Sequence, residues 1–218
     1  KAVLGLEDGT IITGSGFGVE GTAYGELVVT LVSNGYMEAL SDPSTAGQLL
    51  MFGYPLVGNY GANPDQLQSD KVHAVGAIVR ELCEFPKHEP TLGQYFEENG
   101  LMGIEGVDTR MLTIKLREQG VMRAALLTGS DDGHEAVRLA QNAPVQETRE
   151  LIPGVTCKEA YHIPGTGKKI AVLDLGCRKS ILQSLHNRGA DLYIYPYGTP
   201  ADVILAENPQ ALFLTNGP

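Results

Sequence analysis

Runs of apolar residues in the first third of the chain predict a β-rich body. Residues Ala2–Leu6 and Thr10–Thr13 flank an Asp-Gly turn, a pattern that favours a β-hairpin. Further apolar runs lie at Gly25–Ser33, Leu49–Tyr54 and Val72–Arg80, and we interpret each of them as a strand. The first of these runs has the core Leu-Val-Val-Thr-Leu-Val, which is typical of a buried strand.

Helical periodicity follows the strands. Thr91–Asn99 begins with a threonine cap candidate and stops at an Asn-Gly pair. Asp108–Gln119 has helical spacing and ends before Gly120, and Asp131–Asn142 begins with aspartates that can cap a helix. We therefore predict an α+β N-terminal domain over residues 1–145.

The pattern changes after a segment with little periodicity. Residues 146–167 are interrupted by Pro and Gly, and we predict a linker there. The following residues predict alternating elements: strand Lys169–Leu175, helix Arg178–Asn187, strand Asp191–Tyr195, helix Pro200–Glu207 and strand Ala211–Thr215. This β-α-β-α-β order predicts the start of a doubly wound parallel sheet over residues 168–218, hence an α/β fold overall. Because three strands are few for such a sheet, we expect this domain to be incomplete.

Composition excludes some classes of partner. The chain has 218 residues and a formal net charge of −10, which argues against a nucleic-acid surface and against binding to an anionic membrane. No apolar run approaches the ~20 residues that span a bilayer, and the start does not resemble a signal peptide. The three cysteines are far apart and fit a reducing cytosol, so we expect a cytoplasmic protein without a zinc site.

Two motifs suggest chemistry that their context does not support. The glycines from Gly14 to Gly21 have the spacing of a dinucleotide-binding loop, but the residues after them predict a strand instead of a helix. Cys177 lies at a predicted strand-to-helix turn, where a thiol can be activated. No histidine can be assigned to it as a base, so we interpret Cys177 as a small residue that fills the turn.

Two polar turns have positions that favour ligand contacts. Asp42–Thr45 joins two apolar segments and is first of all a β-turn or a helix start. Asn216–Pro218 follows the third predicted strand of the parallel sheet, at the end where such sheets place their ligands. A glycine at that place can present its backbone N–H to a ligand.

Taken in order, these segments resemble the small subunit of carbamoyl-phosphate synthase. The matching stretches are Leu6-Glu7-Asp8-Gly9-Thr10, Gly25–Val28, Gly35–Glu38, Ser41–Ser44, Tyr54–Gly61, Val72–Ala74, Ile104–Thr113, Arg117–Gly120, Asp174–Leu182 and Asn216–Pro218. Each stretch is short, but their number and order make the resemblance specific over nearly the whole chain.

The resemblance implies a glutaminase that works with a larger partner. It implies a β/β/α layered N-terminal domain followed by a class I glutamine amidotransferase domain, which hydrolyses L-glutamine through a Cys-His-Glu arrangement. The ammonia passes to a large synthetase subunit that joins it to bicarbonate at the expense of ATP, for arginine and pyrimidine synthesis. The resemblance implies no cofactor in this subunit, and it places ATP and a metal ion in the large subunit.

Two residues match functional positions of that family. Ser44 resembles a glutamine-binding residue, and Gly217 resembles a glycine that binds glutamine and supplies a backbone N–H to the oxyanion hole. The catalytic Cys, His and Glu of the family come after this part of the sequence, so we expect no catalytic side chain here and an inactive chain when it is alone. Cys177 is not at the nucleophile position, and residues 33–38 and Ser180 differ from common family residues.

Three interpretations therefore stay open. The chain is part of a glutamine-hydrolysing subunit, or it is a non-catalytic module that docks to a large synthetase subunit, or it is another class I amidotransferase, such as one serving anthranilate or GMP synthesis. The N-terminal 145 residues argue against the third, because those relatives lack this domain. The sequence of the whole gene would separate the first two.

Overall fold

The computed structural model describes residues 1–146 and 149–218 and contains a closed β-barrel. The barrel strands are β1 (Ala2–Leu6), β2 (Ile11–Gly18), β3 (Gly21–Thr30), β4 (Gln48–Phe52), β6 (Gly76–Ile78), β8 (Met102–Glu105) and β9 (Met122–Thr128). They pair in the order β1-β2-β8-β6-β4-β3-β9, and β9 returns to β1. Two short strands, β5 (Leu56–Val57) and β7 (Glu81–Leu82), pair separately.

The barrel combines a parallel half and an antiparallel half. The pairs β3-β4, β4-β6 and β6-β8 are parallel, whereas the pairs β8-β2, β2-β1, β1-β9 and β9-β3 are antiparallel. Side chains from these strands form one apolar core, including fully buried Leu4, Leu49, Met51, Ile78 and Leu126. The core is continuous because consecutive strands of a closed sheet point alternate side chains inward.

Four helices cover or extend the barrel. They are α1 (Tyr36–Leu40), α2 (Leu92–Glu98), α3 (Thr109–Gln119) and α4 (Gly133–Asn142). Thr91 and Gln94 form a reciprocal capping box at the start of α2, as the threonine cap predicted. Helix α4 packs its alanines on β1 and β9, so closely that a Cβ at Gly5 would lie 2.4 Å from the backbone nitrogen of Val137.

A second sheet follows in the last part of the chain. Its elements are β10 (Tyr161–Ile163), β11 (Lys169–Asp174), α5 (Lys179–His186), β12 (Asp191–Pro196), α6 (Ala201–Ala206) and β13 (Ala211–Leu214). The strand order is β10-β12-β11-β13, with β11 parallel to both β12 and β13. Val172, Leu192 and Ile194 are buried in its core with Leu182 of α5. The predicted alternation of three strands and two helices is confirmed.

The structure differs from the sequence-based expectations in several places. The N-terminal strands close into a barrel, whereas we expected a β/β/α layered body. Tyr161–Ile163 lies in the predicted linker but forms β10, because antiparallel pairing with β12 satisfies its backbone. The run predicted as a strand from Val72 to Arg80 is a strand only over Gly76–Ile78, since the parallel neighbours β4 and β8 pair only there. The mixed α/β character is confirmed.

Candidate functional site

The side chain of Asp42 stabilises the turn that carries Ser44. Asp42 caps a 3₁₀ turn over Pro43–Thr45, and its Oδ1 accepts a hydrogen bond from the Ser44 backbone N–H at 3.0 Å. The Thr45 hydroxyl donates to the Asp42 carbonyl at 2.8 Å. Within the described residues no hydrogen bond involves the half-buried Ser44 hydroxyl, which leaves it free to meet a ligand.

Asp42 also joins the barrel to the second sheet. Its carboxylate is almost fully buried, and its Oδ2 lies 2.6 Å from Nη2 of Arg178, the residue that precedes α5. A buried carboxylate is costly unless it is paired and hydrogen-bonded. Asp42 therefore stabilises its own turn through Oδ1 and binds Arg178, beside the second sheet, through Oδ2.

The segment around Gln68 supplies a second connection. The backbone N–H of Lys179 donates to the Gln68 carbonyl at 2.7 Å, and that of Ser180 donates to Gln68 Oε1 at 3.2 Å. The Lys179 ammonium pairs with the exposed carboxylate of Asp70 at 2.9 Å. The first N–H groups of a helix lack partners within the helix, so residues of the barrel satisfy the start of α5.

Gly217 lies directly on the turn between β11 and α5. A Cβ at this position would lie 2.0 Å from the carbonyl oxygen of Leu175, so only glycine fits. The Leu175 N–H donates to the Thr215 hydroxyl at 2.8 Å, which fastens the end of β13 to the same turn. The backbone of Gly217 is thus positioned by β13, which precedes it, and by the end of β11.

Gly176 places the Ser44 turn and Gly217 at the same junction. Its φ of +119° lies in the region that favours glycine, and a Cβ there would be 3.0 Å from Cβ of Pro43 and 3.4 Å from Cα of Gly217. Pro43 immediately precedes Ser44. The turn that carries Ser44 and the backbone of Gly217 are therefore both close to one glycine, although they are far apart in the chain.

Asp174 fixes this turn and was missed in the sequence. Its buried carboxylate accepts hydrogen bonds from the backbone N–H groups of Gly176 and Cys177 through Oδ1, at 2.9 and 2.7 Å, and from that of Cys157 through Oδ2, at 2.7 Å. The signal available in the sequence was an Asp at the end of a buried strand and two residues before a glycine, a common start for a turn closed by the side chain.

The two cysteines beside Asp174 are poor nucleophiles. Burial, and then the neighbouring carboxylate of Asp174, raise the pKa of Cys177 to about 12 and that of Cys157 to about 11. Both thiols are therefore protonated at neutral pH. Because the thiolate is the reactive species, this argues against a nucleophilic role for Cys177.

A cavity of about 630 Å³ lies between the two parts of the molecule. Gln68 and His73 line it from the barrel, and Cys157, Tyr161 and Cys177 line it from the second sheet. Burial lowers the pKa of His73, with a further decrease caused by Lys71, so this imidazole is neutral at neutral pH. A second cavity of about 510 Å³ is lined by Pro218 together with Glu26 and Arg149.

Neither a metal centre nor a membrane segment is found in the described part of the chain. Its His, Cys, Asp and Glu residues form no group of three or more that could hold a metal ion. None of the helices over residues 1–146 and 149–218 has the length and the apolar character that crossing a bilayer requires.

Comparison with known proteins identifies the family. Residues 4–126 match the family model described as the carbamoyl-phosphate synthase small chain, CPSase domain. The chain belongs to this family. Its relatives include the carbamoyl phosphate synthase small chains of Methanosarcina acetivorans, 54% identical over 230 residues, and Archaeoglobus fulgidus, 42% identical over 222 residues. The resemblance inferred from the short sequence stretches is confirmed.

The matches cover all of this chain but only part of those relatives. The chain spans 62% of the length of the Methanosarcina acetivorans and Archaeoglobus fulgidus proteins. Among solved structures, an aminopeptidase from Aneurinibacillus sp. strain AM-1 covers 94% of the chain, and the match covers 50% of that protein, with 12% identity and a TM-score of 0.39. That likeness is too weak to support a fold assignment.

Proposed function

We propose that this chain is part of the glutamine-hydrolysing subunit of carbamoyl-phosphate synthase and that its share of the glutamine site is the junction around Gly176. One observation carries the proposal: a Cβ at Gly176 would lie 3.0 Å from Cβ of Pro43, beside Ser44, and 3.4 Å from Cα of Gly217, so both are close neighbours of this glycine. Membership of the small chain family supports the assignment. Ligand sites commonly form where two parts of a protein meet, which suits this position.

The groups at the junction suit the binding of a neutral polar substrate. The Ser44 hydroxyl offers one donor and two acceptor positions, which match the polar groups of glutamine. The Gly217 N–H can donate to the oxygen on which negative charge develops when the side-chain amide is attacked. Cleavage needs a nucleophile and a base, and neither the neutral, half-buried Cys177 nor any other described residue is assigned to those roles. We therefore expect the chain alone to be inactive.

The ion pair between Asp42 and Arg178 has a positioning role in this proposal. Asp42 fixes the backbone of the Ser44 turn and is itself held from the second sheet. The two parts of the site thus keep their relative position without a ligand. The ammonia would pass to a large synthetase subunit, where ATP and bicarbonate are used, and glutamine would contact the small subunit alone.

The test is Ser44→Ala in the full-length small subunit, assayed together with its large subunit. Loss of a neutral hydrogen bond costs ~0.5–1.5 kcal/mol, so kcat/KM for glutamine is expected to fall roughly 3- to 10-fold. Synthesis from free ammonia is expected to stay unchanged, because ammonia does not use this site. Ser33→Ala, at an exposed serine, is the matched control and should change neither reaction.

Two outcomes would count against the proposal. Equal losses with glutamine and with ammonia would make Ser44 a structural residue of the turn. Unchanged kinetics with both nitrogen sources would remove Ser44 from the site.

A further inference from the structure

Thr215 is the buried residue between β13 and the segment that carries Gly217, and its hydroxyl makes two hydrogen bonds there. The residue is 6% exposed and directly follows β13. Its Oγ1 accepts a hydrogen bond from the Leu175 backbone N–H at 2.8 Å and donates one to the Asn216 carbonyl at 2.8 Å. Because buried polar atoms are nearly always hydrogen-bonded, this hydroxyl cannot give up either bond without cost.

The bond from Leu175 anchors Thr215 to the turn after β11. The Thr215 backbone N–H also donates to this strand, to the Leu173 carbonyl at 3.2 Å. The backbone and the side chain of one residue thus extend the pairing of β11 and β13 beyond Leu214, where β13 ends. The hydroxyl therefore has a fixed position relative to the turn that carries Gly176.

The bond to Asn216 fixes the orientation of one peptide group. The Asn216 carbonyl and the Gly217 N–H belong to the same peptide unit, which is planar. This unit is trans, since the bond between Glu89 and Pro90 is the only cis peptide bond among the described residues. In a trans peptide the C=O and N–H bonds point in opposite directions. A hydroxyl held on the Asn216 oxygen therefore directs the Gly217 N–H away from Thr215.

The Gly217 N–H is an unpaired donor. Within residues 1–146 and 149–218 no acceptor is bound to it. Gly217 is half-buried, and the Leu175 carbonyl closes one side of it, as the 2.0 Å approach of a Cβ shows. A hydrogen bond to a carbonyl also polarises the peptide group and strengthens its N–H as a donor. The Thr215 hydroxyl therefore both orients and strengthens this donor.

Building on the proposed function of Gly217 as an oxyanion donor, we propose that Thr215 is a positioning residue for glutamine hydrolysis. Its hydroxyl orients the peptide unit between Asn216 and Gly217 so that the Gly217 N–H meets the charge that develops on the amide oxygen. Such donors are effective because they are in place before the charge appears and need no reorganisation during the reaction. A hydroxyl anchored on β11 provides this preorganisation without touching the substrate.

The test is Thr215→Val in the full-length small subunit, assayed together with its large subunit. Valine keeps the shape of threonine but has no hydroxyl, so the Gly217 N–H loses its orientation while the Ser44 hydroxyl still binds glutamine. We expect kcat with glutamine to fall roughly 10-fold or more, since removal of a whole oxyanion donor costs ~10²–10³-fold. KM for glutamine is expected to change less than about twofold, because the lost interaction acts in the transition state.

Two further measurements separate positioning from a structural role. Synthesis from free ammonia is expected to stay unchanged in Thr215→Val, because ammonia does not use the glutamine site. Thr215→Ser keeps a hydroxyl that can make both hydrogen bonds, and it is expected to recover most of the kcat with glutamine.

Thr128→Val is the matched control. Thr128 is 7% exposed, and its hydroxyl also accepts from a backbone N–H, that of Gly21 at 2.9 Å, and donates to a carbonyl, that of Val19 at 2.8 Å. The substitution therefore removes the same kind of hydrogen bonds from the barrel. It is expected to leave kcat and KM for glutamine unchanged.

Several outcomes would overturn the positioning role. Equal losses of kcat in Thr215→Val and Thr128→Val would do so, as would equal losses with glutamine and ammonia, or a kcat that Thr215→Ser does not recover. If Thr215→Val leaves kcat unchanged while Ser44→Ala lowers kcat/KM for glutamine, the positioning role fails and the proposed glutamine site stands. If neither variant changes glutamine use, both fail. Should Thr215→Val not fold, Thr215→Ala also removes the hydroxyl and is subject to the same outcomes.

Discussion

The strands of the barrel and those of the second sheet differ in how many neighbouring strands they pair with. Every barrel strand has two neighbours, because β9 pairs with both β1 and β3. In the second sheet, among the described residues, β13 pairs only with β11, and its Leu212 and Leu214 are 55% and 58% exposed. Closure removes edges and hides apolar side chains, whereas an open edge keeps both in contact with water.

This difference shows where each region draws its stability. The barrel has a continuous core of fully buried side chains and needs no further contact to complete it. The second sheet has a smaller core, and it is tied to the barrel at the start of α5 by hydrogen bonds that Gln68 accepts and by the ion pair between Arg178 and Asp42.

The same substitution at two leucines gives the largest expected contrast. Leu4→Ala empties a fully buried position in the barrel core and is expected to lower the free energy of unfolding by about 2–5 kcal/mol. Leu212→Ala shortens an exposed side chain on β13 and is expected to change it by less than about 0.5 kcal/mol. Urea unfolding of both variants measures the contrast, and similar losses would show that β13 is covered in solution.

Substitution of the buried Asp174 is expected to destabilise the second sheet. In Asp174→Asn one oxygen becomes an NH₂ group, which faces backbone N–H donors at Cys157 or at Gly176 and Cys177. We expect a loss of about 1–3 kcal/mol, measured by urea unfolding, because a buried hydrogen bond is replaced by two opposed donors. The exposed Asp202→Asn is the control and should change stability by a few tenths of a kcal/mol at most.

The same variant should also change thiol chemistry. The negative charge of Asp174 contributes to the raised pKa of Cys177, so its removal is expected to lower that pKa and speed alkylation by iodoacetamide. Peptide mapping by mass spectrometry would identify the modified cysteine. An unchanged rate at Cys177 would mean that burial alone protects the thiol.

The smallest expected effect is a pH dependence at the contact between the two regions. The folded state lowers the pKa of His73 below its ordinary 6.5, chiefly by burial, while Asp42 and Asp70 oppose this shift. The unfolded chain therefore binds a proton more readily, and stability is lost as pH falls below 6.5. The loss is expected to stay below about 1 kcal/mol, because the side chain is only half-buried and solvent screens it.

Unfolding in urea at about pH 7.5 and about pH 5.5 measures this loss, over the range where histidine titrates. His73→Gln is expected to reduce the difference between the two pH values, whereas His134→Gln, at an exposed histidine, is expected to leave it unchanged. A difference of the same size in wild type and in His73→Gln would assign the pH dependence to other groups.

The sequence predicted those elements that depend on neighbouring residues, such as turns, helix caps and short apolar strands. The Asp-Gly hairpin, the cap at Thr91, the aspartate cap of α4 at Asp132 and the three parallel strands of the second sheet are all confirmed. Strand β9 was missed because its Met-Arg-Ala-Ala-Leu-Leu-Thr sequence has low strand propensity, and its conformation is set by pairing with β1 and β3. Barrel closure depends on such distant pairings, which no local period encodes.

The candidate site was predicted only in its separate parts. Ser44 and Gly217 came from the family resemblance, whereas the position of Gly176 next to Pro43 and Gly217 needed the three-dimensional arrangement. Asp174 was missed because a buried aspartate and a solvated aspartate look the same in one sequence.

The pairing of Thr128 also sets an order of events during synthesis. This residue lies opposite Ala2 on one side and Gly21 on the other, so the strand made first is joined to the strand made last in the barrel. At ~5–20 residues per second, the ribosome needs on the order of ten seconds to make the residues between them. Throughout that interval β1 and β3 have no β9 between them. A nascent chain arrested before Met122 leaves this gap open, and one arrested well beyond Thr128 can close it.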